Sequence, residues 1–184
     1  SSVDNIKYSF PVVDLILDKK LNTISEFTKS TIQELRDTIW AMNSNEITFE
    51  DLHSRILNFI EKAQKSQDNI SFNFLIPLNL NTLKLSSVVG MNLYRTIQEA
   101  VNNAIKHANP KNISIEINAI NKDIQIIICD NGIGFDETLI SKGNGLINME
   151  KRMEEIGGTI RFGKNESGGT QIELNIKKTE KWET

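Results

Sequence analysis

The sequence predicts an α/β fold in which helices cover one face of a mixed sheet of about five strands, with long helices preceding it. Five stretches alternate apolar and polar residues or are short apolar runs, as half-buried and central strands do. They span residues 70–76, 112–120, 124–129, 159–162 and 171–176. In other stretches apolar residues recur every three or four positions, which is the spacing of one helix face. The two patterns together predict a two-layer α/β sandwich.

The composition excludes several classes of protein. The chain has 184 residues, of which 39% are hydrophobic and 24% charged, as in a folded globular protein of one or two domains. A net charge of −3 is not the basic character of nucleic-acid-binding domains, so we expect no nucleic-acid partner. No apolar run reaches the roughly 18 to 20 residues that span a bilayer, so we expect no membrane contact by this chain.

Two features bear on the location of the protein. The single cysteine, Cys129, follows the apolar residues 126–128, so we expect a small buried side chain in a reducing compartment. The chain starts at Ser1 and Ser2 rather than at a methionine, so we expect a fragment whose parent could carry a membrane segment upstream. The expected location of the chain is the cytoplasm.

The first element is a long amphipathic helix. Its apolar stripe consists of Leu17, Leu21, Ile24, Phe27, Ile32, Leu35, Ile39 and Met42. Such a stripe needs a partner helix. Residues 1–18, broken by Pro11, are expected to supply the end of a preceding helix, with a turn near residues 18–20.

A second helix is predicted from Thr48 onward. Thr48 and Asp51 have the spacing of a capping box. The apolar face that follows consists of Phe49, Leu52, Ile56, Phe59, Ile60 and Ala63. His53 lies one residue beyond this face, so we expect a surface or boundary histidine rather than a ligand. The polar run 64–69 ends the helix, and Pro77 ends the strand that follows.

The third helix carries the largest set of polar groups. Ser86 is expected to cap it, and Asn109 and Pro110 to end it after Ala108. One side gathers Leu93, Ile97, Ala100, Val101, Ala104 and Ala108. The opposite side gathers Arg95, Glu99, Asn103 and Lys106, which places a carboxylate, an amide and an ammonium within about one turn.

The C-terminal part alternates strands and helices. Residues 121–123 are expected to turn a hairpin, whose second strand is nearly all apolar and therefore central. A helix striped by Leu146, Met149, Met153 and Ile156 should end at the glycine pair 157–158. A final hairpin is expected to turn at residues 168–169.

Three motifs in order carry a resemblance to a known family. They are residues 98–109 (QEAVNNAIKHAN), 130–135 (DNGIGF, directly after a strand) and 143–152 (GNGLINMEKR, opening a helix). They resemble the N, G1 and G2 boxes of the GHKL ATPases. More narrowly, residues 46–178 resemble the C-terminal ATP-binding domain of bacterial sensor histidine kinases, in the subfamily that pairs with LuxR-type response regulators.

The resemblance implies a domain organisation. Residues 1–45 would form part of a dimerisation and phosphoacceptor hairpin, 46–178 a catalytic domain of the Bergerat type, and 179–184 a tail. In related folds, the position of residues 136–142 is a flexible lid. The acceptor histidine, which an acidic residue follows in this family, is absent, since neither His53 nor His107 matches it. We expect the acceptor upstream, so this chain alone should not autophosphorylate.

The resemblance also assigns a site for ATP and Mg²⁺. Asn103 would ligate magnesium, Asp130 would accept a hydrogen bond from the adenine amine, and Lys106 and His107 would contact phosphates. The remaining assigned residues are Gly132, Gly134, Gly143, Gly145, Leu146, Arg152 and Thr170. Their types suit these tasks, because glycines admit close backbone approach and a helix N-terminus favours phosphate. Lys106, His107 and Arg152 could instead be surface residues, and Thr170 could serve only in strand pairing.

The expected role of Glu99 differs between two classes of enzyme in this superfamily. In the hydrolysing relatives, the glutamate four residues before the magnesium asparagine orients water. In the kinases, it would orient or deprotonate the attacking imidazole.

The expected function is transfer of the γ-phosphoryl group from ATP to a histidine outside this chain, for relay to a response regulator. The intact kinase would be a homodimer through residues 21–42, and its parent could be anchored in the inner membrane. One alternative is an ATPase that hydrolyses ATP for conformational work. Others are a serine kinase of the anti-sigma-factor type, against which the long helix argues, and a nucleotide-binding interaction module without catalysis.

Overall fold

The computed structural model of the chain describes residues 15–42, 46–77, 80, 83–120, 123–134 and 144–177. The chain divides into two compact units, Ser1–Asn43 and Ser44–Thr184. The first unit contains helix α1, Leu15–Met42. None of the helices in the described ranges is both long enough and apolar enough to cross a lipid bilayer.

Helix α1 confirms the predicted long helix and corrects its start. The turn expected at residues 18–20 is wrong, because the helix runs through them without interruption. Asp18 lies in the first turn, where a carboxylate favours a helix N-terminus, and it accepts a hydrogen bond from Asn22 at 3.2 Å. The helix expected to precede it falls on residues 1–14, outside the described residues. Five stripe residues are exposed by 45–71%, namely Leu17, Ile24, Phe27, Ile32 and Leu35.

The second unit is built on a five-stranded sheet. Its strands are β2 (Ser71–Leu75), β4 (Asn112–Ile120), β5 (Asp123–Asp130), β6 (Thr159–Lys164) and β7 (Thr170–Ile176). Their order is β2-β4-β5-β7-β6, and β2 pairs with β4 in parallel while the other pairs are antiparallel. The predicted mixed sheet, with the apolar strand β5 at its centre, is confirmed.

Three helices pack on this sheet as predicted: α2 (Phe49–Ser66), α3 (Ser87–Asn103) and α4 (Asn144–Glu155). The capping box at α2 is present, since Thr48 Oγ1 accepts from the Asp51 amide and Asp51 Oδ2 accepts from the Thr48 amide. Ser86 caps α3 by accepting from the Val89 amide at 3.2 Å. Gly157, with φ of 68°, ends the turn after α4.

The core lies between the helices and one face of the sheet. The sheet contributes Ile113, Ile115, Ile117, Ile124, Ile126, Ile128, Ile172, Leu174 and Ile176, each exposed by 6% or less. The helices contribute Leu52, Ile56, Leu93, Ile97, Met149 and Met153, all at 0%. His53 is half-buried beside this core, with its ring 5.2 Å from that of Phe74. Burial of one sheet face gives the predicted two-layer sandwich.

The other face of the sheet explains why the prediction of a buried Cys129 is wrong. Strand β5 alternates strictly, so Ile124, Ile126 and Ile128 point to the core while Ile127 and Cys129 are only half-buried on the opposite face. Cys129 Sγ lies 3.7 Å from the side-chain oxygen of Gln171. Partial burial, reinforced by the nearby charges of Asp130 and Glu116, raises the pKa of the Cys129 thiol.

Alkylation of Cys129 should therefore be several-fold slower in the folded protein than in the chain unfolded by denaturant. A raised pKa lowers the thiolate fraction at a given pH, and the thiolate is the reacting form. The measurement is the time course of mass increase with iodoacetamide at pH 8, with a cysteine-containing peptide in both samples to correct for the effect of denaturant on the reagent. Equal corrected rates would contradict the prediction.

A two-stranded ribbon was not predicted. Strands β1 (Glu46–Thr48) and β3 (Lys84–Ser86) pair antiparallel directly before α2 and α3. With three residues each, they are too short to show a period of two. Their central residues, Ile47 and Leu85, are 4% and 1% exposed. The ribbon therefore adds to the core beneath the starts of the two helices.

The end of the third helix also differs from the prediction. The helix continues to Ala108 as expected, but its last five residues, Ala104–Ala108, form a π-helical turn. Asn109 then takes the left-handed conformation with φ of 48°, which asparagine tolerates better than most residues. Single π-turns of this kind are frequent at functional sites.

Candidate functional site

A cavity of about 540 Å³ lies between α3 with its π-helical turn, the strand ends of β5 and β7, and the start of α4. This volume is within the range of small-molecule sites. Eight residues singled out in the sequence line it: Glu99, Asn103, His107, Asp130, Gly134, Gly145, Leu146 and Thr170. The order of elements along the chain thus brings all three motifs to one place.

Three other candidates are described and do not line the cavity. Lys106 is exposed on the π-helical turn, and Arg152 is half-buried on α4 with contacts of its own. Gly132 lies behind the cavity wall, against Ala108. Gly143 and the expected lid at residues 136–142 fall outside the described residues.

Asp130 is the buried charged group of the site. It ends β5 and is 5% exposed. Its Oδ1 accepts hydrogen bonds from the amides of Gly132 at 2.8 Å and Thr170 at 3.3 Å. Among the described residues, no group donates to its Oδ2. Asp130 also lines the cavity, so this oxygen is a recognition point for an amino group of a ligand there.

The two glycines after Asp130 are required by contacts within the protein. A Cβ on Gly132 would overlap the carbonyl oxygen of Ala108 and lie 2.7 Å from its carbonyl carbon. A Cβ on Gly134, where φ is 79°, would overlap the carbonyl oxygen of Gly168. The Ile133 amide donates to the same Ala108 oxygen at 2.9 Å. These contacts dock the loop on the π-helical turn of α3.

The opposite end of the cavity holds Glu99 and Asn103. A Cβ on Gly145 would overlap the Glu99 carboxylate and lie 3.6 Å from Asn103 Nδ2, so the start of α4 lies directly against these two side chains. Helix N-termini carry free amides and a positive dipole end. Glu99 on α3 and Ala108 on the π-helical turn that continues it are nine residues apart, which places the two ends roughly 13 Å from one another along the helix axis.

The donor set of the site limits how it could hold a metal ion. Within the described ranges, no three His, Cys, Asp or Glu side chains are grouped to bind a metal. Asn103 and Glu99 offer oxygens at one end of the cavity. A cation there would take most of its ligands from a bound molecule and from water, as Mg²⁺ commonly does.

Several residues of the site are not evident from the sequence. Ile128, Ile133, Phe162 and Ile172 give the cavity apolar walls. Asn131 Oδ1 accepts from the amides of Lys111 at 2.9 Å and Asn112 at 2.8 Å, which ties the loop to β4. Asn165, in the turn between β6 and β7, contacts Asp130 from 35 residues away. The alternation of β5 and β7 points Ile128 and Ile172 to the helices, whereas no local pattern distinguishes Asn165 from an ordinary turn asparagine.

Comparison with known proteins adds a family and relatives. The model of a family described as histidine kinase-, DNA gyrase B- and HSP90-like ATPases matches residues 89–180, or 92 of the 184 residues. The nitrate/nitrite sensor protein NarQ of Escherichia coli is 28% identical over 177 residues, which are 95% of this chain and 31% of NarQ. An uncharacterised sensor-like histidine kinase of Chloroflexus aurantiacus is 26% identical over 164 residues, covering 85% of this chain and 27% of that protein.

Solved structures show the same fold. The Acinetobacter baumannii histidine kinase AdeS superposes with a TM-score of 0.62 at 18% identity, covering 89% of this chain and 85% of AdeS. The chain spans less than a third of the two relatives named above.

Proposed function

Because the chain belongs to the family of histidine kinase-, DNA gyrase B- and HSP90-like ATPases, we propose that its cavity is the ATP site of a two-component sensor histidine kinase. The enzyme transfers the γ-phosphoryl group of ATP to a histidine outside this chain, for relay to an aspartate on a response regulator. The observation that carries the proposal is the pairing of a carboxylate that has one uncommitted oxygen at one end of the cavity with an amide, a carboxylate and a helix N-terminus at the other.

Asp130 recognises the base in this proposal. Its Oδ1 is committed to the Gly132 and Thr170 amides, while its Oδ2 has no donor among the described residues. The exocyclic amine of adenine supplies that donor. Ile128, Phe162 and Ile172 provide apolar surfaces for the ring, and Thr170 lies beside it.

The phosphates lie toward the start of α4. Gly145 and Leu146, in the first turn of α4, line the cavity, and Gly143 precedes them in sequence. The free amides of such a helix start suit phosphate oxygens. Asn103 Oδ1 would hold Mg²⁺, which would neutralise phosphate charge when bound. Lys106 and His107, on the π-helical turn that follows Asn103, add positive charge or hydrogen bonds to the phosphates. Arg152 on α4 adds a further positive charge. Catalysis then rests on positioning and charge neutralisation.

Glu99 acts on the nucleophile. It lies beside Asn103 and Gly145, at the phosphate end. There its carboxylate orients the acceptor imidazole or takes its proton as the nitrogen attacks phosphorus and the bond to the bridging oxygen breaks.

The parent protein has a wider organisation in this proposal. Residues 1–45 form part of a dimerisation and phosphoacceptor hairpin, 46–178 the catalytic domain and 179–184 a tail. The exposed apolar residues of α1 fit a homodimer interface. The partner is a LuxR-type response regulator, and the catalytic domain works in the cytoplasm beneath a membrane-anchored parent.

A calorimetric titration with ATP, with and without magnesium, tests the proposal on the wild type and on Asp130→Asn. The variant keeps an oxygen for the Gly132 and Thr170 amides but turns an amide donor toward the adenine amine, so ATP affinity should fall about tenfold or more. Asp68→Asn, at an exposed position, makes the same charge change and should bind like wild type.

Product formation followed in the same samples separates the functions. Magnesium-dependent binding with negligible ADP supports a kinase domain that awaits its histidine. Steady ADP release by the wild type would point to a hydrolysing ATPase instead, and a wild type that binds no ATP would reject the nucleotide site.

A further inference from the structure

The turn between β6 and β7 packs against Asp130, the residue that recognises the base in the proposed function. The side chain of Asn165 connects the two by a hydrogen bond. Asn165 opens the turn, and its amide nitrogen Nδ2 donates to the main-chain oxygen of Asp130 at 2.5 Å. The same nitrogen lies 3.5 Å from the main-chain oxygen of Thr170. Asn165 therefore bridges the end of β5 and the start of β7.

The other end of the Asn165 amide organises the turn itself. Its Oδ1 accepts from the amide of Gly169 at 2.9 Å, the amide of Ser167 at 3.0 Å and the hydroxyl of Ser167 at 2.8 Å. The Asn165 main chain adds a bond from its amide to the Gly169 oxygen at 2.9 Å. The oxygen shapes the turn, while the nitrogen attaches the turn to Asp130.

The turn contacts the Asp130 loop at further points. The Thr170 amide donates to Asp130 Oδ1 at 3.3 Å. A Cβ on Gly169 would overlap the Asp130 carbonyl oxygen, and a Cβ on Gly134 would overlap the Gly168 carbonyl oxygen. The two backbones thus pack directly on one another. Among the described residues, Asn165 is the one whose side chain donates to the main chain of Asp130.

We propose that Asn165 is a positioning residue for base recognition. It fixes the main chain of Asp130 so that the carboxylate keeps one oxygen on the Gly132 and Thr170 amides and presents the other to the amino group of the base. Asn165 does not line the cavity. The phosphate end of the cavity, with Glu99, Asn103 and Gly145, lies away from Asn165. Loss of the Asn165 side chain should therefore weaken binding of the base and leave binding of the phosphates unchanged.

Asn165→Asp isolates the link to Asp130. The variant keeps the oxygen that the turn amides use but replaces the donor by an oxygen that repels the Asp130 carbonyl. The dissociation constant for magnesium ATP should rise about tenfold. That for inosine triphosphate, which carries a carbonyl oxygen in place of the amine, should change less than about twofold.

Two further variants complete the test. Asn118→Asp makes the same chemical change at an amide that, within the described ranges, donates to the nearby Glu116 side chain and to no other group, and it should alter neither constant. Asn165→Ala removes the donor together with the oxygen that shapes the turn, without adding charge. It should show a selective loss at least as large, so the test survives if Asn165→Asp does not fold. In an Asp130→Asn background, Asn165→Ala should cause little further loss of ATP affinity, because the group it positions is already changed.

The outcomes separate this inference from the proposed function on which it rests. If the Asn165 variants bind ATP more weakly and inosine triphosphate as before, the inference is supported. If both nucleotides bind equally more weakly, or if the preference for ATP is unchanged, the role of Asn165 is overturned while the ATP site stands. A wild type that binds both nucleotides equally overturns base recognition through Asp130. A wild type that binds neither overturns the ATP site and the inference together.

Discussion

Gly132→Ala should destabilise the catalytic unit by about 3 kcal/mol and abolish ATP binding. The added Cβ would overlap the carbonyl oxygen of Ala108 and come within 2.7 Å of two further Ala108 atoms, the carbonyl carbon and Cβ. These atoms belong to the π-helical turn and cannot yield as a side-chain tip can. Relief requires the loop to leave α3, which breaks the hydrogen bond from the Ile133 amide to Ala108 and displaces Asp130. The measurements are urea unfolding and calorimetric titration with ATP.

Gly163→Ala is the matched control. Gly163 lies in β6, outside the left-handed region, and no described atom lies within 4 Å of the position its Cβ would occupy. Alanine there should change stability by less than about 1 kcal/mol, with a gain favoured because alanine restricts the unfolded chain. A Gly132→Ala protein that unfolds at the same urea concentration as Gly163→Ala would refute the packing argument.

Asn103→Ala should remove the dependence of ATP affinity on magnesium. Asn103 offers the neutral oxygen of the phosphate end, and the described part of the chain holds no larger cluster of metal-binding side chains. Loss of one of few protein ligands should weaken binding of magnesium ATP about 10- to 100-fold. Affinity for ATP without the metal should stay near that of the wild type. Calorimetric titrations at fixed ATP and varied magnesium measure the effect.

Asn102→Ala serves as its control, because this neighbouring asparagine is half-buried on the same helix but does not line the cavity. Both variants replace an asparagine near the end of α3 by alanine, a better helix former, and should change helix stability in the same direction and by a similar amount. If magnesium raised ATP affinity equally in the two variants, Asn103 would not be the ligand.

Periodicity explains why most of the fold was predictable. Alternation in β4 and β7, and the stripes of α2 to α4, record which face of each element is buried, and burial dominates its stability. The capping residues Thr48 and Ser86 act on the helix that directly follows each of them, so their role could also be predicted from the sequence. Strands β1 and β3 were missed because three residues carry no period, and a run of polar residues at 18–20 was mistaken for a turn inside α1.

In the site, too, residues of local motifs could be predicted, whereas residues that act through long-range contacts could not. Asp130, Asn103 and Gly145 belong to local motifs, and the structure brings them to one cavity. Asn165 acts on Asp130 across 35 positions, and the close partner of Gly132 is Ala108. Contacts of this kind depend on how β6, β7 and the π-helical turn come together in space, which no spacing along the chain specifies.

The docking of the 130–134 loop on Ala108 makes α3 a shared wall of the whole cavity. The same helix carries Glu99 and Asn103 at one end and supports the loop of Asp130 at the other. Any partner that tilts or shifts α3 must therefore change nucleotide affinity at both ends at once. Thermodynamic linkage makes this reciprocal, so a bound nucleotide alters the affinity of that partner by the same factor. This coupling requires that the partner's binding shifts α3, because a ligand with equal affinity for both arrangements shifts nothing.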